Sequence, residues 1–158
     1  MIQTVHGNIF DFVGRNDAII HGCNTHGVMG SGIALEVKTR YPGAFNAYLR
    51  KHHEHGLSLG TVIPYFDPND KFWIINAITQ NNFGRDDKRY VSYDKRYVSY
   101  DAVSDAFKRI RAAEDKFDRL FFPLIGAGLG GGDWNVIQAI IESEFKGSDK
   151  ELILVKFQ

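Results

Sequence analysis

Several features that would place a protein in a membrane or in an oxidising compartment are missing from this sequence. Cys23 is the only cysteine among 158 residues, so the chain can form neither an intramolecular disulfide nor a cysteine cluster for zinc. No apolar run reaches the length of a membrane span, and the opening segment MIQTVHGNIF has no basic stretch followed by a long apolar one. We therefore expect a cytoplasmic protein with no membrane partner, and nothing in the sequence calls for a cofactor or a metal ion.

The sequence has no net charge either. Its 19 basic and 19 acidic residues cancel, so no overall positive field attracts nucleic acid. The remaining composition, 44% hydrophobic and 24% charged, is that of an ordinary soluble globular protein. At this length we expect a single domain over residues 1–158, which buries most of its apolar surface without covalent crosslinks.

Strand-like and helix-like patterns alternate along the chain. Ala18, Ile19 and Ile20 form an apolar run that is typical of a strand buried on both faces. Strands that alternate with helices predict an α/β fold, in which a largely parallel sheet is covered by helices on both faces. Strands predicted at 61–66 and 72–79 could form a hairpin or lie apart. The other predicted strands span 2–6, 17–21, 120–125 and 151–157, and helices are predicted from Ile33 to before Pro42, over 44–54, around 103–110 and over 134–145.

A seven-residue segment, KRYVSYD, occurs twice in tandem, at 88–94 and at 95–101. One such duplication is far too short to indicate a solenoid or a propeller. Seven residues make about two helical turns, so the copy could lengthen the following helix at its N-terminus, with Ser92 and Ser99 among the rival caps. It could equally form a loop. The tyrosines and basic residues of the repeat could also contact nucleic acid.

A glycine-containing loop is predicted between the buried strand and the helix that follows it. The segment from His21 to Leu35 reads HGCNTHGVMGSGIAL and turns into a helical pattern at Ile33. Gly27, Gly30 and Gly32 allow positive φ angles and a close approach of the backbone to a ligand. The free N–H groups of the helix N-terminus would face that ligand, so an anionic group is the expected guest.

A second glycine loop, Gly126 to Gly132, repeats the arrangement of strand, loop and helix with the sequence GAGLGGG. A polar segment, Gln80 to Arg89, leaves from the end of another predicted strand. Open α/β sheets bind ligands at the carboxyl ends of their strands, so we expect these three loops to meet there. Two glycine loops at one sheet edge favour a diphosphate. Neither loop has a Walker motif or the GxGxxG spacing, which argues against a conventional kinase or dehydrogenase.

Four motifs in this order and spacing resemble the macro domain family, whose fold binds ADP-ribose. They are GNI at Gly7 to Ile9, DAIIHGCN and NTHGVMGSGIA within 17–34, and PLIGAGLGGGDW at 123–134. The resemblance extends over nearly the whole chain. It implies a three-layer α/β/α fold with a mixed, largely parallel sheet of about six strands. Within the family the motifs are most similar to the group of ADP-ribose 1″-phosphate phosphatases, terminal ADP-ribose glycohydrolases and DarG-type antitoxins.

The resemblance also implies which residues meet the ligand. Asn8 and Ile9 would contact adenine, the amides of the two glycine loops would hold the diphosphate, and Phe83 could stack on the ribose or cover the site. The implied binding residues are Gly7, Asn8, Ile9, Cys23, His26, Gly27, Val28, Met29, Gly30, Ser31, Gly32, Ile33, Gln80, Phe83, Gly126, Ala127, Gly128, Leu129, Gly130 and Gly131.

His21 and Asn24 are the predicted catalytic residues. His21 titrates near neutral pH and could act at a terminal phosphate; the alternative is a half-buried histidine that bonds a backbone carbonyl. Asn24 could position the distal ribose with its amide, and the alternative is an Asx-turn at the end of the strand. His26 is a rival to His21, although an exposed loop position is the simpler interpretation. Asp133 is first of all an expected N-cap.

Two departures from the family pattern favour one reaction. Gln80 and Gly130 occupy the positions at which the glycohydrolase branch has a lysine and an aspartate. We therefore expect a phosphatase that hydrolyses ADP-ribose 1″-phosphate to ADP-ribose and phosphate. Two alternatives stay open: a glycohydrolase that acts on ADP-ribosylated protein or nucleic acid, and a binding module without turnover.

Overall fold

The computed structural model describes residues 1–81, 97–128 and 130–157. Helices and strands alternate through these residues, as the sequence predicts. In chain order they are β1 (Ile2–His6), α1 (Ile9–Phe12), β2 (Ala18–Asn24), α2 (Gly32–Arg40), α3 (Pro42–His55), β3 (Val62–Phe66), β4 (Trp73–Gln80), α4 (Tyr100–Ala112), β5 (Arg119–Phe122), α5 (Trp134–Glu144) and β6 (Glu151–Lys156). None of the helices formed by the described residues is long and apolar enough to cross a membrane.

The six strands form one sheet in the order β1-β6-β5-β2-β4-β3. Neighbouring strands of this described sheet are parallel, except that β3 and β4 pair antiparallel as a hairpin. The predicted α/β fold with a mixed, largely parallel sheet of six strands is confirmed. Because five strands run in the same direction, their carboxyl ends, at His6, Asn24, Gln80, Phe122 and Lys156, lie at one edge of the sheet.

Two hydrophobic cores cover the two faces of the sheet. In β2, Ala18 and Ile20 belong to one core, whereas Ile19 and Cys23 belong to the other, because successive side chains of a strand point to opposite faces. Buried residues of α4 and α5 complete the first core, and buried residues of α2 and α3 complete the second. The result is the expected three-layer α/β/α arrangement.

An ion pair fixes the amino-terminal edge of the sheet. Asp17, which is only 2% exposed, accepts hydrogen bonds from Nε and Nη2 of Arg119 at 3.1 and 2.7 Å. It also accepts a bond from the backbone N–H of Gly14 at 2.8 Å. A buried carboxylate needs such partners to remain charged. The pair joins the starts of β2 and β5, which are the two strands whose carboxyl ends lead into the glycine loops.

Two strand ends differ by three residues from the predicted ones, whereas the other strand boundaries agree to within one residue. β2 continues to Asn24 instead of ending near His21, because it pairs along this whole length with β4. The first four residues of the predicted loop are therefore strand. β5 ends at Phe122, so the remainder of the predicted strand 120–125 is already part of the turn that leads to the second glycine loop.

The second copy of the tandem repeat does not lengthen α4. This helix begins at Tyr100, and the side chain of Ser99 caps it by accepting a bond from the N–H of Ala102 at 3.1 Å. Directly before the cap, Val98 forms an isolated antiparallel bridge with Gln80. The first copy, residues 88–94, lies outside the described residues.

Candidate ligand-binding site

Two adjoining cavities lie at the carboxyl edge of the sheet. The first has a volume of about 660 Å³ and the second about 500 Å³. They share five lining residues, so they form one elongated cleft. The shared residues are Gly32, Ile33, Pro123, Leu124 and Gly128. Residues from both glycine loops therefore line the cleft at its middle, as the sequence predicts.

The first cavity is mainly apolar. The predicted residues Gly7, Asn8 and Ile9 line it, together with Ala127 of the second glycine loop. Five further residues that line this cavity were not predicted from the sequence: Phe10, Glu36, Val155, Lys156 and Phe157. Phe157 follows β6 at the same sheet edge and is 80% exposed. Its place as the final residue of the last predicted strand, 151–157, was the only signal in the sequence that could have indicated it.

The second cavity is lined largely by glycines and small or neutral residues. Of the predicted residues, it contains Cys23, Asn24, Val28, Gly30, Ser31, Gln80, Gly126 and Gly130, besides the shared ones. Gly22, Ala34 and Ile125 line it as well. The described residues that line this cavity include no acidic or basic side chain. An anion held here would therefore be bound by backbone N–H groups and neutral side chains.

The N-terminus of α2 faces both cavities through Gly32 and Ile33. In the described structure the side chain of its N-cap residue, Ser31, makes no capping hydrogen bond. The N-cap residues of α1, α4 and α5, which are Asn8, Ser99 and Asp133, all accept such a bond from their own helix. The predicted cap at Asp133 is thus confirmed. The first turn of α2 keeps its N–H groups and its positive dipole end for a ligand.

His21 lies inside the protein. Its side chain has no exposed surface, and its Nε2 is 2.7 Å from Oδ1 of Asn76. The Asn76 amide donates to the carbonyls of Ala44 and Ile63, so its oxygen must accept and Nε2 of His21 carries the hydrogen. Burial lowers the pKa of His21 from 6.5 to about 4, against the opposing effect of the bond to Asn76. The ring is therefore neutral at pH 7.

This position favours the structural alternative for His21. The described residues that line the two cavities do not include it. The predicted alternative was a half-buried histidine bonded to a backbone carbonyl, whereas the ring is fully buried and its partner is the Asn76 side chain. A role of His21 at a terminal phosphate stays a prediction, and its contacts with the described residues do not support it.

Asn24 organises the first glycine loop. Its Oδ1 accepts hydrogen bonds from the N–H of His26 and from the hydroxyl of Tyr48, both at 2.9 Å. Its Nδ2 donates to the carbonyl of Val28 at 2.7 Å. The first of these bonds is the Asx-turn that the sequence offered as the alternative. Asn24 lines the second cavity, yet its amide is engaged by the protein, so its predicted contact with a ribose stays untested.

Several predicted binding residues do not line either cavity. His26 is exposed on the loop, and Met29 is buried in the second core at 1% exposure. A Cβ added to Gly27 would lie 2.7 Å from Cδ2 of His52, so this glycine is needed for packing against α3. Gly131 is exposed and has a positive φ of 75° in the turn before α5. Phe83 and Leu129 lie outside the described residues.

Gln80 and Gly130, the two positions that depart from the glycohydrolase pattern, are adjacent in space. A Cβ added to Gly130 would lie 3.0 Å from Oε1 of Gln80 and 2.8 Å from the carbonyl oxygen of Gly126. The second of these contacts involves backbone and cannot relax by a rotamer change. An aspartate therefore does not fit at position 130 without a movement of the loop.

Cys23 is a buried thiol at the floor of the second cavity. It is 3% exposed, and its Sγ lies 3.8 Å from Nδ1 of His21. Burial raises the pKa of the thiol well above its usual range, so the group stays protonated at neutral pH. Cys23 therefore packs as a small apolar residue of the second core, and its predicted contact with the ligand stays a prediction.

The fold and the cavities define an α/β domain with an elongated cleft at the carboxyl edge of its sheet. The sequence profile of the macro domain family matches residues 20–141. The chain belongs to the macro domain family.

Three comparisons place the chain within this family. It is 28% identical to an ADP-ribose 1″-phosphate phosphatase of Candida albicans, over 90% of this chain and 92% of that protein. It is 29% identical to a DNA ADP-ribosyl glycohydrolase of Mycobacterium tuberculosis, over 82% of this chain but only 35% of that protein. Its structure is similar to the macrodomain of Mycobacterium tuberculosis DarG, with a TM-score of 0.74, 26% identity and coverage of 99% of this chain and 97% of the other.

Proposed function

We propose that this protein binds ADP-ribose 1″-phosphate in the cleft and hydrolyses it to ADP-ribose and phosphate. The observation that carries the proposal is the continuity of two cavities with different linings, which share Gly32, Ile33 and Gly128. A ligand that fits such a cleft has a flat apolar end, an anionic middle and a polar far end. A nucleoside diphosphate sugar has these three parts in this order.

The apolar first cavity suits the base. Val155 and Phe157 offer aliphatic and aromatic surface, and an exposed aromatic ring can stack on a base. Asn8 supplies polarity at this end. Its Oδ1 accepts the N–H of Phe10 at 3.0 Å, which turns its NH₂ group away from α1. That NH₂ is suited to a ring nitrogen of adenine, because the side-chain carbonyl of Asn8 is engaged by the helix.

The middle of the cleft suits the diphosphate. The uncapped N-terminus of α2 and the glycines of both loops converge there. Their N–H groups and the helix dipole stabilise negative charge without any charged side chain. The same donors would stabilise the additional charge of a phosphoryl group when water attacks its phosphorus and the bond to the ribose oxygen breaks.

The phosphatase activity is supported by similarity to proteins with that name over nine tenths of the chain. The poor fit of an aspartate at Gly130 argues against the glycohydrolase alternative, since that branch uses a lysine and an aspartate at the positions of Gln80 and Gly130. Phosphomonoester hydrolysis needs neither of these two side chains.

Gly128→Val tests where the ligand binds. No described heavy atom lies within 4 Å of a Cβ added at this position, so the larger side chain enters the cleft without a clash inside the protein. We expect phosphate release from ADP-ribose 1″-phosphate and ADP-ribose binding both to fall below detection, with unchanged thermal stability. Ala139→Val on the exposed surface of α5 is the matched control. Normal turnover by Gly128→Val would refute this site.

A second candidate function is ADP-ribose binding without turnover. It is favoured by the neutral lining of the second cavity, where the described residues offer no charged group for proton transfer. Calorimetry with ADP-ribose and a phosphate-release assay distinguish the two functions. Tight binding combined with no release of phosphate would establish the binding module, and release that survives in His21→Gln would exclude this ring from the chemistry.

A further inference from the structure

A short segment lies between the end of β4 and the second glycine loop, and it is hydrogen-bonded to both. It comprises Tyr97 to Ser99, and we refer to it as the bridging segment. On the β4 side, the N–H of Ser99 donates to the carbonyl of Thr79 at 2.8 Å, and the N–H of Asn81 donates to the carbonyl of Tyr97 at 3.3 Å. The segment thus extends the sheet locally beside β4, and its position relative to that strand is fixed by backbone hydrogen bonds.

On its other side, the bridging segment holds the second glycine loop. The N–H groups of Tyr97 and Val98 both donate to the carbonyl oxygen of Gly130, at 2.7 and 3.1 Å. The loop is closed at its base by a bond from the N–H of Gly132 to the carbonyl of Gly126 at 2.7 Å. The middle of the loop and its base are therefore fixed by different groups.

The side chain of Val98 fills the space at the base of the loop. A Cβ added to Gly126 would lie 2.6 Å from its Cγ2, and a Cβ added to Gly132 would lie 2.7 Å from its Cγ1. Each methyl group of Val98 thus packs against one end of the loop. Val98 is 4% exposed, and it is not among the described residues that line the two cavities.

The other glycine loop is attached to the same part of β4. The N–H of Thr25 donates to the carbonyl of Gln80 at 3.1 Å, and the hydroxyl of Thr25 donates to the carbonyl of Asn81 at 3.0 Å. A continuous series of contacts therefore runs from the first loop through the end of β4 and the bridging segment to the second loop. The distance between the loops depends on this series.

We infer that Val98 is a positioning residue, which sets the spacing of the two glycine loops and thereby the affinity for ADP-ribose without touching the ligand. The inference rests on the proposed binding of ADP-ribose in the cleft. Alanine at this position removes both methyl groups and leaves a gap at the base of the loop, so the loop loses its defined position. Threonine keeps the branched shape, and it costs stability because it buries a hydroxyl. Comparing the two variants therefore separates the effect of the side-chain shape at position 98 from the effect of a lower free energy of unfolding.

The test compares Val98→Ala, Val98→Thr and Val103→Ala by calorimetry with ADP-ribose and by amide hydrogen exchange without ligand. Val103 is fully buried in α4 and belongs to the same hydrophobic core, so its truncation controls for lost stability. We expect Val98→Ala to weaken binding by about tenfold or more, because a loosely held site loses affinity. Binding should stay within about threefold of the wild type in the other two variants, and only Val98→Ala should lose protection at the Gly132 amide.

The outcomes separate this inference from the proposed function. If the wild type does not bind ADP-ribose, the proposed function fails, although the exchange data still report on the loop. If the wild type binds and Val98→Ala binds equally well, the positioning role of Val98 is wrong. Equal weakening in Val98→Ala and Val103→Ala would also overturn it, because the effect would then follow from stability alone.

Discussion

The two glycine loops of this macro domain face the same cleft, but they are held in different ways. The first loop is fixed mainly by the side chain of Asn24, the last residue of the strand that leads into it, since its amide bonds to the N–H of His26 and to the carbonyl of Val28. The second loop is fixed by a segment from elsewhere in the chain, since Tyr97 and Val98 bond to the carbonyl of Gly130.

Single glycines of the two loops have different tasks, as Gly30 and Gly126 show. In the first loop, a Cβ at Gly30 would meet only Cγ1 of Val28, at 3.5 Å, which is ordinary contact. In the second loop, a Cβ added to Gly126 would lie only 2.6 Å from Cγ2 of Val98. Glycine at 30 keeps the cleft open for a ligand, whereas glycine at 126 makes room for the protein itself.

The largest effect is expected from Gly126→Ala. The residue has a positive φ of 71°, and its new methyl group would overlap with Val98. An alanine with a positive φ is strained, and its methyl group overpacks the space beside Val98. Together these effects should lower the free energy of unfolding by about 3–4 kcal/mol. Gly30→Ala should change stability by less than about 0.5 kcal/mol. Urea denaturation of both variants measures the contrast, and equal losses would contradict the proposed difference between the loops.

His21, in the strand that leads into the first loop, should make the free energy of unfolding depend on pH. Burial lowers the pKa of His21 from 6.5 to about 4, so between these values the unfolded chain binds a proton that the folded chain does not. The stability of the folded state with a neutral His21 is therefore fully present above pH 6.5, and it decreases as the pH falls to 4. The loss amounts to roughly 3 kcal/mol.

His21→Gln provides the comparison for this pH dependence. Denaturation of the wild type and of this variant at pH 7 and at pH 4.5 should give a smaller difference in the variant. In the second loop, the described side chains nearest to Gly126, Gly130 and Gly132 are those of Val98, Gln80 and Ile137, and none of these carries an ionisable group. The same pH dependence in both proteins would show that other groups are responsible.

Local patterns predicted most of the fold and the location of the cleft. The apolar run at Ala18–Ile20 and the two strand, loop and helix sequences depend on local periodicity, and so did the cap at Asp133. The burial of His21 could not be predicted, because it depends on Asn76 from another strand and on α3, which supplies the acceptor Ala44. The bridging segment was missed for the same reason, since its partners are distant in sequence.

Asn24→Ala should affect the first loop alone. The change removes the acceptor for His26 and Tyr48 and the donor to Val28, which should cost about 2 kcal/mol. ADP-ribose binding should weaken by about tenfold as the loop loses its turn. Asn135→Ala, at an exposed position of α5, is the control in denaturation and calorimetry. Unchanged hydrogen exchange at the Gly132 amide would show that the second loop is held independently of Asn24, and lost protection there would contradict this prediction.

The smallest effect is expected from deletion of one copy of KRYVSYD. Since the copies are identical, the shortened chain keeps the sequence of the bridging segment and the cap of α4. The N–H of Asn81 donates to the carbonyl of Tyr97 at 3.3 Å, so the ends of the connection are adjacent, and the deletion shortens it from 15 residues (82–96) to 8. Bringing together the ends of a shorter connection costs less conformational entropy, and this should stabilise the fold by no more than about 0.6 kcal/mol. ADP-ribose affinity should remain unchanged in calorimetry, and a marked loss would mean that the second loop depends on more of the connection than the bridging segment.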